Sequence, residues 1–265
     1  MTILSGKELR PLIASQIEEE LKTTRVSFYL FSNKEDFPSQ AYLRGIKKTL
    51  DSFHVPYTEG FIDTNLSKEE NLARFEKESQ GKSILMARPL KVDYEHDFLS
   101  LIKTEYDPDM LTEVNRGKLF GGDLTYLTAT SQSVRLILEN YHIDVEGKRA
   151  LVLGRSTEVG YPCFQLLNKM NAAVTLAHSK VDSATLSSYV KQADIIILAT
   201  GKPGLIKKED LNKDIVIIDC GFNPNGGDLG FIPNEGEVKA YTPVPGGVGS
   251  LTSYCLLLNA IHLMK

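Results

Sequence analysis

The stretch from Arg149 to Gly221 constrains the fold more than any other. "RALVLG" (149–154) is a short apolar run ending in glycine. A helical pattern follows ("RSTEVGYPCFQLLNKMN"), then an extended one ("AAVTLAHS"), a second helix ("SATLSSYVKQA") and two more apolar runs, "DIIILAT" and "DIVIIDCG". This alternation is the order of a doubly wound, Rossmann-type dinucleotide-binding unit on a parallel sheet. Within it, "GRSTEVGYP" (154–162) joins a strand to a helix. Such a turn aims free backbone N–H groups at an anion, with the helix dipole assisting. Gly154 permits the tight turn, and Gly160 permits close approach of backbone to a pyrophosphate or of helix to strand. Pro162 suits a first helical turn. The spacing is not G-x-G-x-x-G, so a purely structural turn stays open as an alternative.

The strand after the loop separates cofactors. An acid at its end would hold a ribose 2′-hydroxyl. Here the residues are His178, Ser179 and Lys180, with no carboxylate, and Arg155 lies in the preceding loop. A cation and a hydroxyl at this point fit a 2′-phosphate, hence NADP. The alternative is a solvated turn at 178–180. Further on, "TPVPGGVGSLTSY" (242–254) has two prolines that fix an extended approach. Gly246, Gly247 and Gly249 then give a backbone able to press against a flat ligand. The final segment, "SLTSYCLLLNAIHLM", is a strongly apolar helix that must bury against something.

The first part of the chain has βαβ rhythm, predicting a second parallel sheet covered by helices. Helix is expected over Lys7–Lys22, with Leu9, Leu12, Ile13, Ile17 and Leu21 along one stripe. Strand follows over 25–31 ("RVSFYLF"), then helix over 39–53 with Tyr42, Ile46, Leu50 and Phe53 inward. "YTEGFID" is a strand, 67–80 a helix with a Ser cap and acidic first turn, and "KSILMARPL" a strand. The texture changes near Gly121, giving two α/β domains: 1–121 plus 250–265, and 122–249.

Composition narrows the function classes. The 265 residues carry a formal net charge of −4, with no basic stripe interleaved with aromatics, which argues against nucleic-acid binding. No apolar run is long enough to span a bilayer, so no membrane partner is expected. The amino-terminal segment reads as an amphipathic helix, not a signal peptide. Cys163, Cys220 and Cys255 are scattered in apolar stretches, which reads as buried reduced thiols in a reducing cytoplasm. The five histidines show no metal-ligand spacing, and no metal is expected.

"GRSTEVGYP", "TPVPGGVGSLTSY", "ADIIILATGKPGLIKKEDLNKDIVIIDCGFN" and "SQAY" (39–42) together resemble the methylenetetrahydrofolate dehydrogenase/cyclohydrolase (FolD-type) family. The resemblance is strong in 147–249 and weaker in 1–146. It implies two α/β domains flanking a cleft, a homodimer, NADP in the second domain and a folate-type substrate in the cleft. The cofactor would meet Gly154, Arg155, Ser156, Val159, Gly160, His178, Ser179, Thr200 and Gly201. The substrate would meet Tyr42, Asp109, Pro245, Gly246 and Gly247, with Tyr42 and Asp109 also in catalytic roles.

The catalytic segments depart from the family pattern. The motif Ser-x-x-Tyr-Val-x-x-Lys keeps Ser39 and Tyr42, but Ile46 stands at the lysine. Lys47 is about 100° further round the helix and does not replace it. "VQLPLP" reads "MARPLK" (86–91), placing Ala87 at the glutamine. "KDVDGFHPxNxGxL" reads "YDPDMLTEVNRGKL" (106–119): both aspartates, Asp107 and Asp109, are kept, whereas a glycine, the histidine and the proline are not. "PCTPxG" has become "TATSQS" (128–133), keeping only Thr130. Hydride transfer depends on positioning. Hydrolysis of the resulting cation needs a general acid/base, and Ile46 has no proton to exchange. The expectation is an NADP-dependent dehydrogenase of one-carbon metabolism with cyclohydrolase activity lost or weak. The rivals are a non-catalytic NADP- or pterin-binding paralogue and a reductase of another cyclic substrate.

Overall fold

A computed structural model describes residues 1–223 and 226–265. In chain order the main elements begin β1 (Thr2–Ile3), α1 (Gly6–Leu21), β2 (Phe28–Ser32), α2 (Phe37–Ser52), β3 (Tyr57–Phe61) and α3 (Lys68–Ser79). Next come β4 (Ser83–Ala87), α4 (Glu95–Ser100), α5 (Glu113–Phe120), α6 (Ala129–Asn140), β5 (Arg149–Leu153) and α7 (Gly160–Lys169). The rest are β6 (Ala173–Ala177), α8 (Ser183–Gln192), β7 (Ile195–Leu198), β8 (Val216–Asp219), β9 (Ala240–Tyr241) and α9 (Thr252–Leu263). The chain divides into two compact units: Met1–Leu12 with Leu119–Cys255, and Ile13–Lys118 with Leu256–Lys265. The boundaries fall inside α1 and α9, so residues 1–12 and 250–255 group with the unit that holds the glycine loop.

That unit is built on a six-stranded sheet in the order β1-β9-β8-β7-β5-β6, with every pairing parallel. Strands β5, β7 and β8 are central, and the apolar runs that announced them are buried throughout β7 and β8. Leu151, Leu153, Ile196, Leu198, Ile215 and Ile217 belong to one core cluster. Register places Leu153 beside both Ala177 and Leu198, and Leu198 beside Asp219. The carboxyl ends of β5, β6, β7 and β8 are therefore level, and the loops that follow them leave the sheet along one edge. The edge strand β1 and its neighbour β9 have two residues each, too few to show a period in the sequence.

The other unit has a three-stranded parallel sheet, β3-β2-β4. Its core is aromatic: Phe31 meets Phe75 edge-on at 4.8 Å between centroids, and Phe98 lies 5.1 Å from each. Such pairs add to the burial of their area. Two expected stripes are rotated. On α1, Ile13 and Ile17 are buried but Leu12 is exposed. On α2 the buried face is Ser39, Leu43, Ile46, Thr49 and Leu50, while Tyr42 is 39% exposed and Phe53 caps the carboxyl end. Tyr42 is thus a rim residue rather than a core aromatic. Leu43 takes the inward place because 39, 43, 46 and 50 keep helical spacing on one side.

Candidate functional site

In the dinucleotide-type unit the glycine loop is shaped by its own backbone. Gly154 has φ +117, and a Cβ there would lie 2.0 Å from the Ala199 carbonyl oxygen. A Cβ on Gly160 would lie 2.2 Å from the Gly154 carbonyl oxygen, so Gly160 serves the approach of α7 to β5. Ser156 Oγ accepts from the N–H groups of Val159 (3.1 Å) and Gly160 (3.4 Å), holding the first turn of α7. Thr128, the N-cap of α6, donates to the Glu158 carbonyl at 2.7 Å and ties the loop to that helix. The divergent "TATSQS" segment therefore caps α6 and braces the glycine loop.

Arg155 and Ser179 are exposed and His178 is half-buried, His178 Nδ1 accepting from Lys180 N–H at 3.3 Å. Because Leu153 pairs with Ala177, Arg155 and His178–Ser179 emerge at the level ends of adjacent strands. Thr200 and Gly201 follow β7 at the same edge. Their N–H groups, with the Thr200 hydroxyl, all donate to Asp228 Oδ2, at 2.6, 2.8 and 2.9 Å. All nine expected cofactor residues thus gather on one sheet edge, where open α/β sheets bind ligands. Asp228 and its neighbour Asp219 escaped sequence reading. Both are buried, and Asp219 accepts from Gly221, Asp228 and Leu229 N–H groups. Burial, the larger cause, pushes the Asp219 carboxyl up, with the Asp228 charge adding to it. The signal available in the sequence was the pair Gly221 and Gly227. A Cβ on either would strike an Asp228 or Asp219 carboxylate oxygen at 2.2 Å.

The "PVPGGVG" segment turns its glycines largely onto its own chain. Pro245 is exposed, Gly246 half-buried with φ +117, and Gly247 buried. Gly247 N–H donates to the Pro243 carbonyl at 2.6 Å, and Lys7 N–H to the Gly246 carbonyl at 3.0 Å. A Cβ on Gly6 would meet the Gly247 oxygen at 2.2 Å. Pro245 and Gly246 remain the accessible part of this group. Among the thiols, Cys163 and Cys255 are buried, whereas Cys220 is half-buried, and all three are free. A hydrogen bond from Cys163 and then burial push the Cys220 thiol up, and burial holds Cys255 at about 12.

In the smaller-sheet unit, α2 begins at Asp36, whose carboxylate accepts from Ser39 N–H (3.0 Å) and Ser39 Oγ (2.6 Å) and pairs with Lys91 Nζ (2.8 Å). Ser39 Oγ also reaches the Arg88 carbonyl at 3.3 Å, linking α2 to the end of β4, and Arg88 is ion-paired with Glu95. One turn along, the Tyr42 phenol is raised, first by burial of its hydroxyl end and then by the charge of Asp109. The Asp109 charge is thus felt at Tyr42. Ile46 and Ala87 are both buried and apolar, at 2% and 3% exposure. Asp109 sits in the loop 107–112, whose buried Asp107 accepts from Leu111 N–H (2.7 Å), Thr112 N–H (2.8 Å), Thr112 Oγ1 (2.7 Å) and Asn115 Nδ2 (3.0 Å).

Known proteins share this architecture. Residues 128–265 match the tetrahydrofolate dehydrogenase/cyclohydrolase family, NAD(P)-binding domain. The bifunctional protein FolD of Staphylococcus aureus (strain Newman) is 36% identical over 279 aligned positions, covering 99% of this chain and 96% of that protein. The crystal structure of bifunctional FolD, methylenetetrahydrofolate dehydrogenase/cyclohydrolase, from Campylobacter jejuni superposes with a TM-score of 0.91 at 29% identity, covering 100% of this chain and 99% of that one. The Trypanosoma brucei enzyme, crystallised with NADP cofactor and an inhibitor, gives 0.86 at 27% identity, covering 100% and 97%. No helix among the described residues is long and apolar enough to cross a membrane. With the level strand ends, the braced glycine loop and a relative of this identity spanning nearly the whole of both chains, the protein belongs to the tetrahydrofolate dehydrogenase/cyclohydrolase family, and its larger-sheet unit is that family's NAD(P)-binding domain.

Proposed function

We propose that this protein is an NADP-dependent 5,10-methylenetetrahydrofolate dehydrogenase in which methenyltetrahydrofolate cyclohydrolase activity is lost or weak. The observation that carries this reading is the pair Ile46 and Ala87. Both are buried and apolar where the family motif has its lysine and glutamine, beside a retained Tyr42 and Asp109. The unit with Tyr42 and Asp109 would take the folate, and the unit with the glycine loop the cofactor. Exposed Arg155 and Ser179, with no carboxylate at the end of β6, suit a 2′-phosphate, which favours NADP over NAD. Bound NADP supplies the hydride acceptor. The chain's own contribution to that step is positional. Asp109 holds the pterin by hydrogen bonds and Tyr42 packs beside it. Hydrolysis differs because water must lose a proton and a ring nitrogen must gain one. Ile46 offers neither acid nor base. The family relationship also supports a homodimer, checked by light scattering.

The test is two assays on one preparation. NADPH formation from 5,10-methylenetetrahydrofolate is expected, and enzyme-dependent decay of methenyltetrahydrofolate is expected to stay near the uncatalysed rate. Decay comparable to that catalysed by the Staphylococcus aureus relative would sink the claim about hydrolysis. NADP binding without turnover would favour a second reading, a non-catalytic NADP- or pterin-binding protein. The replacement of both the motif lysine and its glutamine, by Ile46 and Ala87, is the observation on its side.

A further inference from the structure

The loop 107–112 is held more rigidly than a surface turn requires. Its hub, Asp107, accepts four hydrogen bonds and is fully buried, and Asn259 of α9 donates to the Pro108 carbonyl at 2.9 Å. Arg116 Nε donates to the Met110 carbonyl at 3.0 Å. Thr112 has two jobs. Its Oγ1 donates to Asp107 Oδ2 and accepts from Asn115 N–H at 3.3 Å, which starts α5. Two features here work against stability. Met110 is buried with φ +54, a left-handed conformation that a long side chain adopts at a cost. Asn115 is fully buried, and its Oδ1 has no hydrogen-bond partner, although its Nδ2 serves both Asp107 and the Thr104 carbonyl. Local strain kept in place by a surrounding network points to a constrained function. The residue that this loop presents, half-buried and acting on Tyr42, is Asp109.

We propose that Asp107, working through the Thr112 hydroxyl and with Asn259 behind Pro108, is the positioning residue that fixes the Asp109 carboxylate for the pterin. This rests on the reading of Asp109 as the pterin ligand. Asp107 touches neither substrate nor cofactor. Its carboxylate sets the path of the backbone that follows Asp109, so the aspartate keeps its direction before substrate arrives. Such preorganisation is worth large factors, since a misplacement of about 1 Å can lower efficiency about a hundredfold.

Asp107→Asn is the obvious variant, but it removes the hub of a buried network and can unfold the loop. Thr112→Val leaves Asp107 in place and removes only the hydroxyl, with its bond to Asp107 and the one it accepts from Asn115 N–H, and Thr112→Ser keeps both. Affinities for tetrahydrofolate and for NADP are measured by calorimetry on the full chain, with steady-state KM and kcat alongside. Thr112→Val is expected to weaken tetrahydrofolate binding on the order of tenfold to a hundredfold with NADP affinity unchanged, and Thr112→Ser to restore it. Asp109→Asn serves as the reference. If Asp109→Asn leaves folate affinity unchanged, the reading of Asp109 fails and the positioning role falls with it. If Asp109→Asn weakens folate binding and Thr112→Val does not, the positioning role alone is wrong. Equal losses for both ligands, or no rescue by serine, would reduce Asp107 to a structural residue.

Discussion

Ile46 lies on the buried face of α2 with 2% of its surface exposed, so a lysine there places an ammonium among apolar neighbours. An unpaired buried charge is costly, and Ile46→Lys alone is expected to lower the unfolding free energy by about 2–4 kcal/mol, read from denaturant melts, without hydrolysis of methenyltetrahydrofolate. Adding Ala87→Gln supplies a hydrogen-bond partner and should recover part of the stability together with measurable hydrolysis. A full recovery of hydrolysis by the single variant would show that position 87 is irrelevant. Asp36 makes a separate prediction about pH. The Lys91 ammonium, then Ser39, hold its carboxyl down from 3.8 to about 2. A carboxyl depressed in the folded state stabilises above its unfolded pKa, and that contribution fades as pH falls through the folded one. The stability gap between wild type and Asp36→Asn should therefore be constant above roughly pH 5 and close towards pH 2.

At the scale of elements, the turn from β5 into α7 depends on two glycines that touch each other's backbone. Gly160→Ala would force a Cβ against the Gly154 carbonyl and push α7 away from β5. The expected result is a loss of about 2–3 kcal/mol and a steep fall in NADP affinity, with tetrahydrofolate affinity preserved. Calorimetry with each ligand checks it. How legible an element was depended on where its partners lie. Strands β7 and β8 could be read because each is a continuous apolar run, and α3 because Ser67 and Glu70 form a capping box, with both hydrogen bonds present. Strands β1 and β9 could not, because two residues carry no period. Tyr42 was placed inward because 42–46–50 and 43–46–50 both fit a helix, and only packing distinguishes them. The site glycines and Arg155 were visible from their spacing around strand ends. Asp219 and Asp228 were not, because a carboxylate that accepts from backbone N–H groups has no sequence partner and looks like any loop acid; Asp107 was visible as a motif match but its hydrogen-bonding role was not.

For the whole molecule, cofactor linkage gives the cleanest measurement. A ligand that binds only the folded chain stabilises it by mass action, by about 2.7 kcal/mol at a hundred times its Kd. NADP is expected to raise the melting temperature at concentrations where NAD does not, and equal shifts by the two would remove the argument from Arg155 and Ser179. A folate ligand should add its own increment to the other unit. The parallel pairing of Thr2 with Ala240 at the edge of the six-stranded sheet has one more consequence. During synthesis, Thr2 and Ile3 are made more than two hundred residues before the strand they join. Domains usually fold as units during synthesis, and pairings so distant in sequence form slowly. The sheet's outermost seam is therefore sewn after translation of the rest of its fabric, and β9 stays open to the wrong partner until Thr2 and Ile3 return to cover it.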